Sequence, residues 1–250
     1  MTHIADPHYA IIVPAWNEEA IIAQTVGQLR TIAENLGRPY ELLVVDDASS
    51  DRTAALATAA GARVVRVEKR QIAAVRNAGG HATTAPYLIF VDADTWLPET
   101  VLRHALRELD RGAVGGGSRV AFDGRGGPIS EAFFAAFKVL WYAQELAAGC
   151  FIFMRRDAFI ALNGFDEQWF AGEEYWMSKA LKQRGRFAFL PEEVVSSARK
   201  QRAGAGPRMM LTLLALTIWF SLGRHKPLQS RAKLAFWYDG KREGKPIDLG

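Results

Sequence analysis

Tyr87-Leu88-Ile89-Phe90-Val91-Asp92-Ala93-Asp94 decides the fold. Five residues of strong strand preference run into two carboxylates separated by one small residue, the pattern of a buried strand ending in a polar site. Ligands of open α/β sheets bind beyond such carboxyl ends. Asp92 and Asp94 offer hard oxygen donors, close enough in sequence to hold one divalent cation whose other positions a diphosphate can fill. A helix cap would need only one of the two.

The stretches on either side repeat the plan. Tyr9 to Val13 is a short apolar run followed by Pro14-Ala15-Trp16-Asn17-Glu18-Glu19, where Pro14 stops the ladder and Asn17 with the glutamates opens a helix. That helix extends to about Leu36, with Ile21, Ile22, Val26, Leu29 and Ile32 on one face, and ends at Gly37 and Pro39. Glu41 to Val45 leads into Asp46-Asp47-Ala48-Ser49-Ser50-Asp51. Ser50 or Asp51 caps the alanine-rich helix that follows, which leaves Asp46 and Asp47 surplus to capping. Arg63 to Val67 is a third strand, and Gln71 to Thr83 a third helix on which Arg76, by itself, would be expected in solvent. Beyond Asp94, Pro98 at a first helical position starts a helix to about Arg111. Such alternation specifies an α/β fold with a mostly parallel sheet and helices on its faces.

Composition agrees. A chain of 250 residues, 49% of them hydrophobic and 23% charged, buries one sizeable core or two small ones and is not disordered. The single Cys150 excludes an internal disulfide framework and, with no cleavable signal sequence in view, points to a reducing compartment, the cytoplasm. The net charge of +4 is concentrated in the tail, where Arg199, Lys200, Arg202, Arg208 and seven further basic residues face three acids. No nucleic-acid motif accompanies them, so nucleic acid is not an expected partner.

Four motifs, Val13 to Glu19, Val44 to Asp51, Arg76-Asn77-Ala78-Gly79 and Val91 to Asp94, stand in the order and spacing of family 2 glycosyltransferases, which this chain resembles from about residue 9 to about residue 200. The resemblance implies a Rossmann-like GT-A domain and an inverting transfer from a nucleotide sugar. It places Pro14, Ala15, Trp16 and Glu18 along the nucleoside, with Trp16 as an aromatic wall and Glu18 as an acceptor. It has Asp47 accept from the base, Arg76 lie near the donor, and Asp92-Ala93-Asp94 meet the diphosphate. Asp94 is then the main ligand of Mg²⁺ or Mn²⁺, and Asp92 contacts ribose or a metal-bound water.

The second half must supply an acceptor site and a base. Val114-Gly115-Gly116-Gly117-Ser118-Arg119-Val120 lacks the spacing of a dinucleotide fingerprint and reads as a strand, its missing side chains permitting close approach of the donor sugar. An aromatic-rich amphipathic helix between Ile129 and Ala148 is expected to be core. Gly149 to Phe159 and Leu162 to Glu167 resemble the family's later strand, Arg-led helix and Gly-Phe-Asp turn, and Glu173-Glu174 follows at the mouth of a helix running to Arg184. Acids in a first turn commonly offset the helix dipole. The family's usual Glu-Asp pair makes Glu174 the match for the catalytic base, with Glu173 as the fallback. Phe187 to Leu190 and a separate segment from Val194 are short strands, after which Arg199 or Lys200 can approach the diphosphate. The Gln-x-x-Arg-Trp motif of processive relatives is absent, which favours addition of a single sugar.

Residues 1–206 thus form the glycosyltransferase domain and 207–250 a basic helical extension. Met209 to Leu222 is apolar over about 14 residues, short of the roughly 20 that cross a bilayer. It suits a buried helix, a contact between copies of the chain, or a helix lying at a membrane surface. The expected partners are a nucleotide sugar, UDP-linked on the strength of Trp16 and Asp47, and a glycan, lipid or small-molecule acceptor. Two alternatives stand beside this reading: a nucleotidyltransferase-like enzyme, against which Pro14 to Glu18 occupies the place of a glycine-rich phosphate loop, and an inactive, membrane-associated glycosyltransferase-like binding protein.

Overall fold

A computed structural model describes residues 6–124, 138–139 and 141–197. Half of the aromatic helix expected over 129–148, including Phe133, Phe134 and Phe137, lies outside these residues. Arg199, Lys200 and the whole 207–250 extension, with its membrane and oligomer readings, lie outside them entirely.

Among the described residues eight strands form one sheet in the order β3-β2-β1-β4-β7-β6-β8-β5. These are β1 (Tyr9–Ala15), β2 (Tyr40–Asp47), β3 (Arg63–Val67), β4 (Tyr87–Val91), β5 (Thr95–Trp96), β6 (Gly115–Phe122), β7 (Phe151–Arg155) and β8 (Phe187–Ser196). The helices described over their whole length are α1 (Ile22–Leu36), α2 (Thr53–Ala59), α3 (Ile72–His81), α4 (Glu99–Asp110), α5 (Arg156–Ala161) and α6 (Glu173–Arg184). β3, β2, β1 and β4 run parallel, as expected of strand-helix alternation. Beyond β4 the sheet is mixed, because β7 is antiparallel to both β4 and β6 while β6 and β8 run parallel.

Period-two alternation divides each central strand between two cores. Tyr9, Ile11 and Val13 of β1 and Ile89 and Val91 of β4 face the α1 and α4 side. Ala10, Ile12, Leu88 and Phe90 face the α3 and α5 side, with Phe159, Met177 and Leu181. α1 stops where expected, with Gly37 in the left-handed region at φ 64 and its N–H bonded to the Glu34 carbonyl at 3.0 Å.

Local expectations are corrected in several places. β1 continues through Pro14, paired with Val45, because its β4 ladder has already ended at Ile12 and Phe90. Asn17 does not open α1, which starts five residues later. Instead it adopts φ 52 and joins two loops, its N–H donating to Ser49 Oγ at 2.9 Å and its Oδ1 accepting the Ser50 N–H at 2.9 Å. Phe187 to Ser196 is one strand with a register shift rather than two, and β5, which pairs with its end, is too short for periodicity to reveal. The glycines of β6 make room for the protein's own packing. A Cβ on Gly116 would stand 2.0 Å from the Ala188 carbonyl oxygen, and one on Gly117 2.6 Å from Ala147 Cβ.

Candidate active site

The chain passes from β1 through α1 to β2 on one side and pairs with β4 on the other, so the strand order switches between β1 and β4. Ligands of open α/β sheets bind at such a switch point. Trp16 leaves the end of β1, Asp46 and Asp47 end β2, and Asp92 follows β4. The antiparallel β7 adds its own start to this edge, so that the Asp92 N–H donates to the Cys150 carbonyl at 3.1 Å. Thr25 of α1 anchors the turn from beneath, its hydroxyl donating to the Ala93 carbonyl at 2.6 Å. Asp94 is half-buried, and its carbonyl accepts the Ser197 N–H at 3.0 Å.

Arg76 corrects the expectation of a solvated helical arginine, since it is 2% exposed. Its guanidinium donates from Nη1 to Glu173 at 2.5 Å, and from Nη2 to Asp92 at 3.0 Å and to the Gly149 carbonyl at 2.7 Å. Burial alone would favour loss of its charge, but the Asp92, Glu173 and Glu174 carboxylates outweigh it and hold the proton more firmly than usual. One cation thereby ties the end of β4 to the mouth of α6, residues 97 apart in sequence at the Arg76 and Glu173 pair. Gly149 lies against this network, since a Cβ there would stand in ordinary contact, 3.4 Å from Arg76 Nη2 and 3.8 Å from Glu174 Oε2.

The two glutamates therefore differ. Glu173 is 4% exposed and paired with Arg76. Glu174 lacks such a partner among the described residues. Burial first, and the neighbouring Glu173 charge second, push its carboxyl up to about 8. Both of the first site's aspartates also bear on Cys150, whose thiol is raised by burial and then by the Asp92 and Asp94 charges.

α3 supports this arrangement with residues that carried no recognised role in the sequence. Asn77 accepts the Phe165 N–H at 2.7 Å and donates to the Phe165 carbonyl at 2.8 Å and to Glu167 at 2.9 Å. Gln71 donates to the Trp169 carbonyl at 3.2 Å. The loop that delivers Glu173 and Glu174 is thus bonded to the helix that carries Arg76. Trp169 and Trp176 stack beside the pair at 5.0 Å between ring centroids, with Tyr175 edge-on to Trp176 at 5.1 Å.

A second group lies at the ends of β1 and β2. Asp47 is buried and accepts the Lys69 N–H at 2.6 Å and the Arg70 N–H at 2.8 Å, so its carboxylate shapes the loop before α3. Pro14, Ala15 and Glu18 are buried, and the Glu18 N–H donates to Thr53 Oγ1 at 2.7 Å. Ala93 is buried as well. Trp16 is half-buried, with the Arg70 guanidinium 4.8 Å from its ring centroid.

Among the described residues no three His, Cys, Asp or Glu side chains converge to hold a metal ion. The protein offers two carboxylates there, one of them also bonded to Arg76. That set fits a hard divalent cation only if other oxygen ligands, such as phosphate and water, complete its shell. No described helix is long and apolar enough to cross a membrane.

Comparison with solved structures shows the same fold. A mannosyltransferase, PcManGT from Pyrobaculum calidifontis in complex with GDP-Man and Mn²⁺, superposes with a TM-score of 0.63 at 19% identity over 95% of this chain and 77% of that one. Glucosyl-3-phosphoglycerate synthase from Mycobacterium tuberculosis, with Mn²⁺, UDP and glucosyl-3-phosphoglycerate, gives 0.58 at 23% identity over 84% and 80%. S. aureus TarS 1-349 with UDP-GlcNAc gives 0.58 at 17% identity over 76% of this chain, which spans only 58% of that structure. These likenesses support the GT-A architecture, and the model of glycosyl transferase family 2 matches residues 10–162, more than half of the sequence. On that match the chain belongs to glycosyl transferase family 2.

Proposed function

We propose that this chain is an inverting glycosyltransferase that moves one sugar from a nucleoside-diphosphate sugar to an acceptor hydroxyl in a single displacement. The observation that carries this reading is the buried Arg76, which joins Asp92 at the donor edge of the sheet to Glu173 beside a carboxyl of raised proton affinity. Leaving-group chemistry and proton removal need opposite sides of one sugar, and this linkage puts charged groups for each within one site.

Asp94, with Asp92 in support, would hold Mg²⁺ or Mn²⁺, which supplies Lewis-acid charge to the departing diphosphate. Pro14, Ala15, Trp16, Glu18, Asp47 and Ala93 line the donor edge. Glu174 takes the proton of the acceptor hydroxyl as that oxygen bonds to the anomeric carbon and the bond from that carbon to the diphosphate breaks. A carboxyl raised toward the working pH is a stronger base than an ordinary glutamate. Glu173 is paired with Arg76 and, by its proximity, raises the proton affinity of Glu174, which favours Glu174 over Glu173 as the base. Arg76 then acts by positioning these groups rather than by touching the donor.

The solved structures compared above hold UDP-GlcNAc, UDP and GDP-Man, and a UDP-linked donor is the first choice here. Residues 1–206 constitute the transferase domain in this reading. The test is a thermal-shift screen of UDP- and GDP-sugars with Mn²⁺ and with chelator. A metal-dependent rise in Tm with a nucleotide sugar is expected. The reading fails if no nucleotide sugar stabilises the protein under either condition.

A further inference from the structure

Two side chains of α1 bond to the segment that leaves β4. Thr25 and Gln28 stand one helical turn apart, on the same face of the helix. The Thr25 hydroxyl donates to the Ala93 carbonyl at 2.6 Å, and Gln28 Nε2 donates to the Leu97 carbonyl at 2.5 Å, so α1 grips residues 93–97 at both ends. Thr25 is 7% exposed, and its acceptor lies 68 residues away in sequence. A threonine inside a helix ordinarily returns its hydroxyl to the carbonyl four residues back. Here that carbonyl, of Ile21, lies 3.3 Å away, whereas the Ala93 carbonyl lies at 2.6 Å. A hydroxyl has one hydrogen to give, and the shorter bond to Ala93 takes it.

We propose that Thr25 is a positioning residue for the metal carboxylates: it holds the peptide that joins Ala93 to Asp94, so that Asp94 and Asp92 present their oxygens to one divalent cation. This inference rests on the nucleotide-sugar reading above, in which the two aspartates meet Mg²⁺ or Mn²⁺ at the diphosphate. The Ala93 carbonyl and the Asp94 N–H belong to one planar unit, so fixing the carbonyl fixes the plane from which the Asp94 side chain departs. The neighbouring peptides are held by backbone alone, through the Asp92 N–H bonded to the Cys150 carbonyl at 3.1 Å and the Ser197 N–H bonded to the Asp94 carbonyl at 3.0 Å. Neither bond reaches the peptide between Ala93 and Asp94, which α1 supports from the far side of the sheet edge through Thr25. Two protein carboxylates leave the rest of a cation's shell to phosphate and water, so their relative orientation is the protein's whole share of the geometry. Groups that orient a ligand without touching the metal typically change affinity by about 10–100-fold when removed.

The experiment measures Kd for Mn²⁺ by electron paramagnetic resonance of the free ion, in saturating UDP and in saturating GDP, on the full chain and on Thr25→Val, Thr25→Ser and Thr25→Cys. Tryptophan fluorescence gives Kd for the same diphosphates in chelator. Valine keeps the volume and branching without the hydroxyl, serine keeps the hydroxyl, and cysteine keeps only a weak donor. Thr25→Val should raise the Mn²⁺ Kd by about tenfold or more while leaving the diphosphate Kd in chelator within about twofold. Thr25→Ser should stay within about threefold of the unmodified chain, with Thr25→Cys between the two and carrying the test if Thr25→Val does not fold. An unchanged Mn²⁺ Kd in Thr25→Val and Thr25→Cys overturns the inference while leaving the nucleotide-sugar reading intact. A loss in Thr25→Ser as large as in Thr25→Val overturns it in favour of packing by the methyl group, and equal weakening with and without metal overturns it in favour of a general structural role. If the unmodified chain binds a diphosphate but no Mn²⁺, the metal assignment fails and this inference with it; if it binds neither, the nucleotide-sugar reading itself fails.

Discussion

Glu174→Gln is expected to make the protein more stable while abolishing transfer. The Glu174 carboxyl rises from its ordinary 4.5 to about 8 because burial and the Glu173 charge disfavour its ionised form. A carboxyl raised on folding contributes stability below its unfolded value and loses it as pH rises toward the folded value. The loss therefore begins near pH 4.5 and is complete near pH 8. Near pH 7 it amounts to about 3 kcal/mol at most, and solvent reaching this half-buried group reduces it. Glutamine retains the shape and an N–H donor toward Glu173 but carries no charge, so it escapes the loss. For a chain of this size each kcal/mol moves Tm by about 2–4 °C, which predicts a gain of several degrees at pH 8 and none at pH 4.5. Differential scanning calorimetry of both proteins across that range measures it, alongside sugar transfer at each pH. A Tm difference that is negative at pH 8, or that does not change with pH, would refute the account of Glu174 as a buried, destabilised base.

Further predictions concern the same network and its packing. In the free enzyme, kcat/KM should rise with pH toward a limb near 8, since the base must be ionised, and Glu173→Gln should shift that limb downward by removing the like charge. Arg76→Met leaves Glu173 buried without its cation and should cost about 3–5 kcal/mol, seen as a Tm loss of roughly 6–20 °C in thermal melts. Gly116→Ala should destabilise more than Gly79→Ala. The added Cβ meets a backbone carbonyl at 2.0 Å in the first case and the Ile12 side chain at 2.4 Å in the second, where overpacking typically costs about 1–3 kcal/mol. Urea melts of the two variants decide the order.

The correspondence between sequence and structure follows the range of the interactions. Tyr87 to Val91 is legible as a buried strand because alternation and apolar content are local properties, and the same holds for the four parallel strands and for α6 opening at Glu173. Asn17 was misread because its partners, Ser49 and Ser50, lie in another loop, and a good capping residue can serve either purpose. At the glycines of β6 a missing side chain does not reveal in the sequence what fills its space. Only the folded sheet brings the Ala188 carbonyl there.

The sequence by itself determined the α/β class, the family motifs and the carboxylates at Asp92, Asp94, Glu173 and Glu174, since these depend on residue type and short spacing. Tertiary structure decided what Arg76 does. Its burial and its bonds to Asp92 and Glu173 arise because the antiparallel β7 brings Gly149 to the end of β4 while the Asn77-bonded loop returns α6 to α3. The two glutamates are alike in sequence, and only the fold distinguishes them, by pairing Glu173 with Arg76 while burial and the Glu173 charge raise the proton affinity of Glu174.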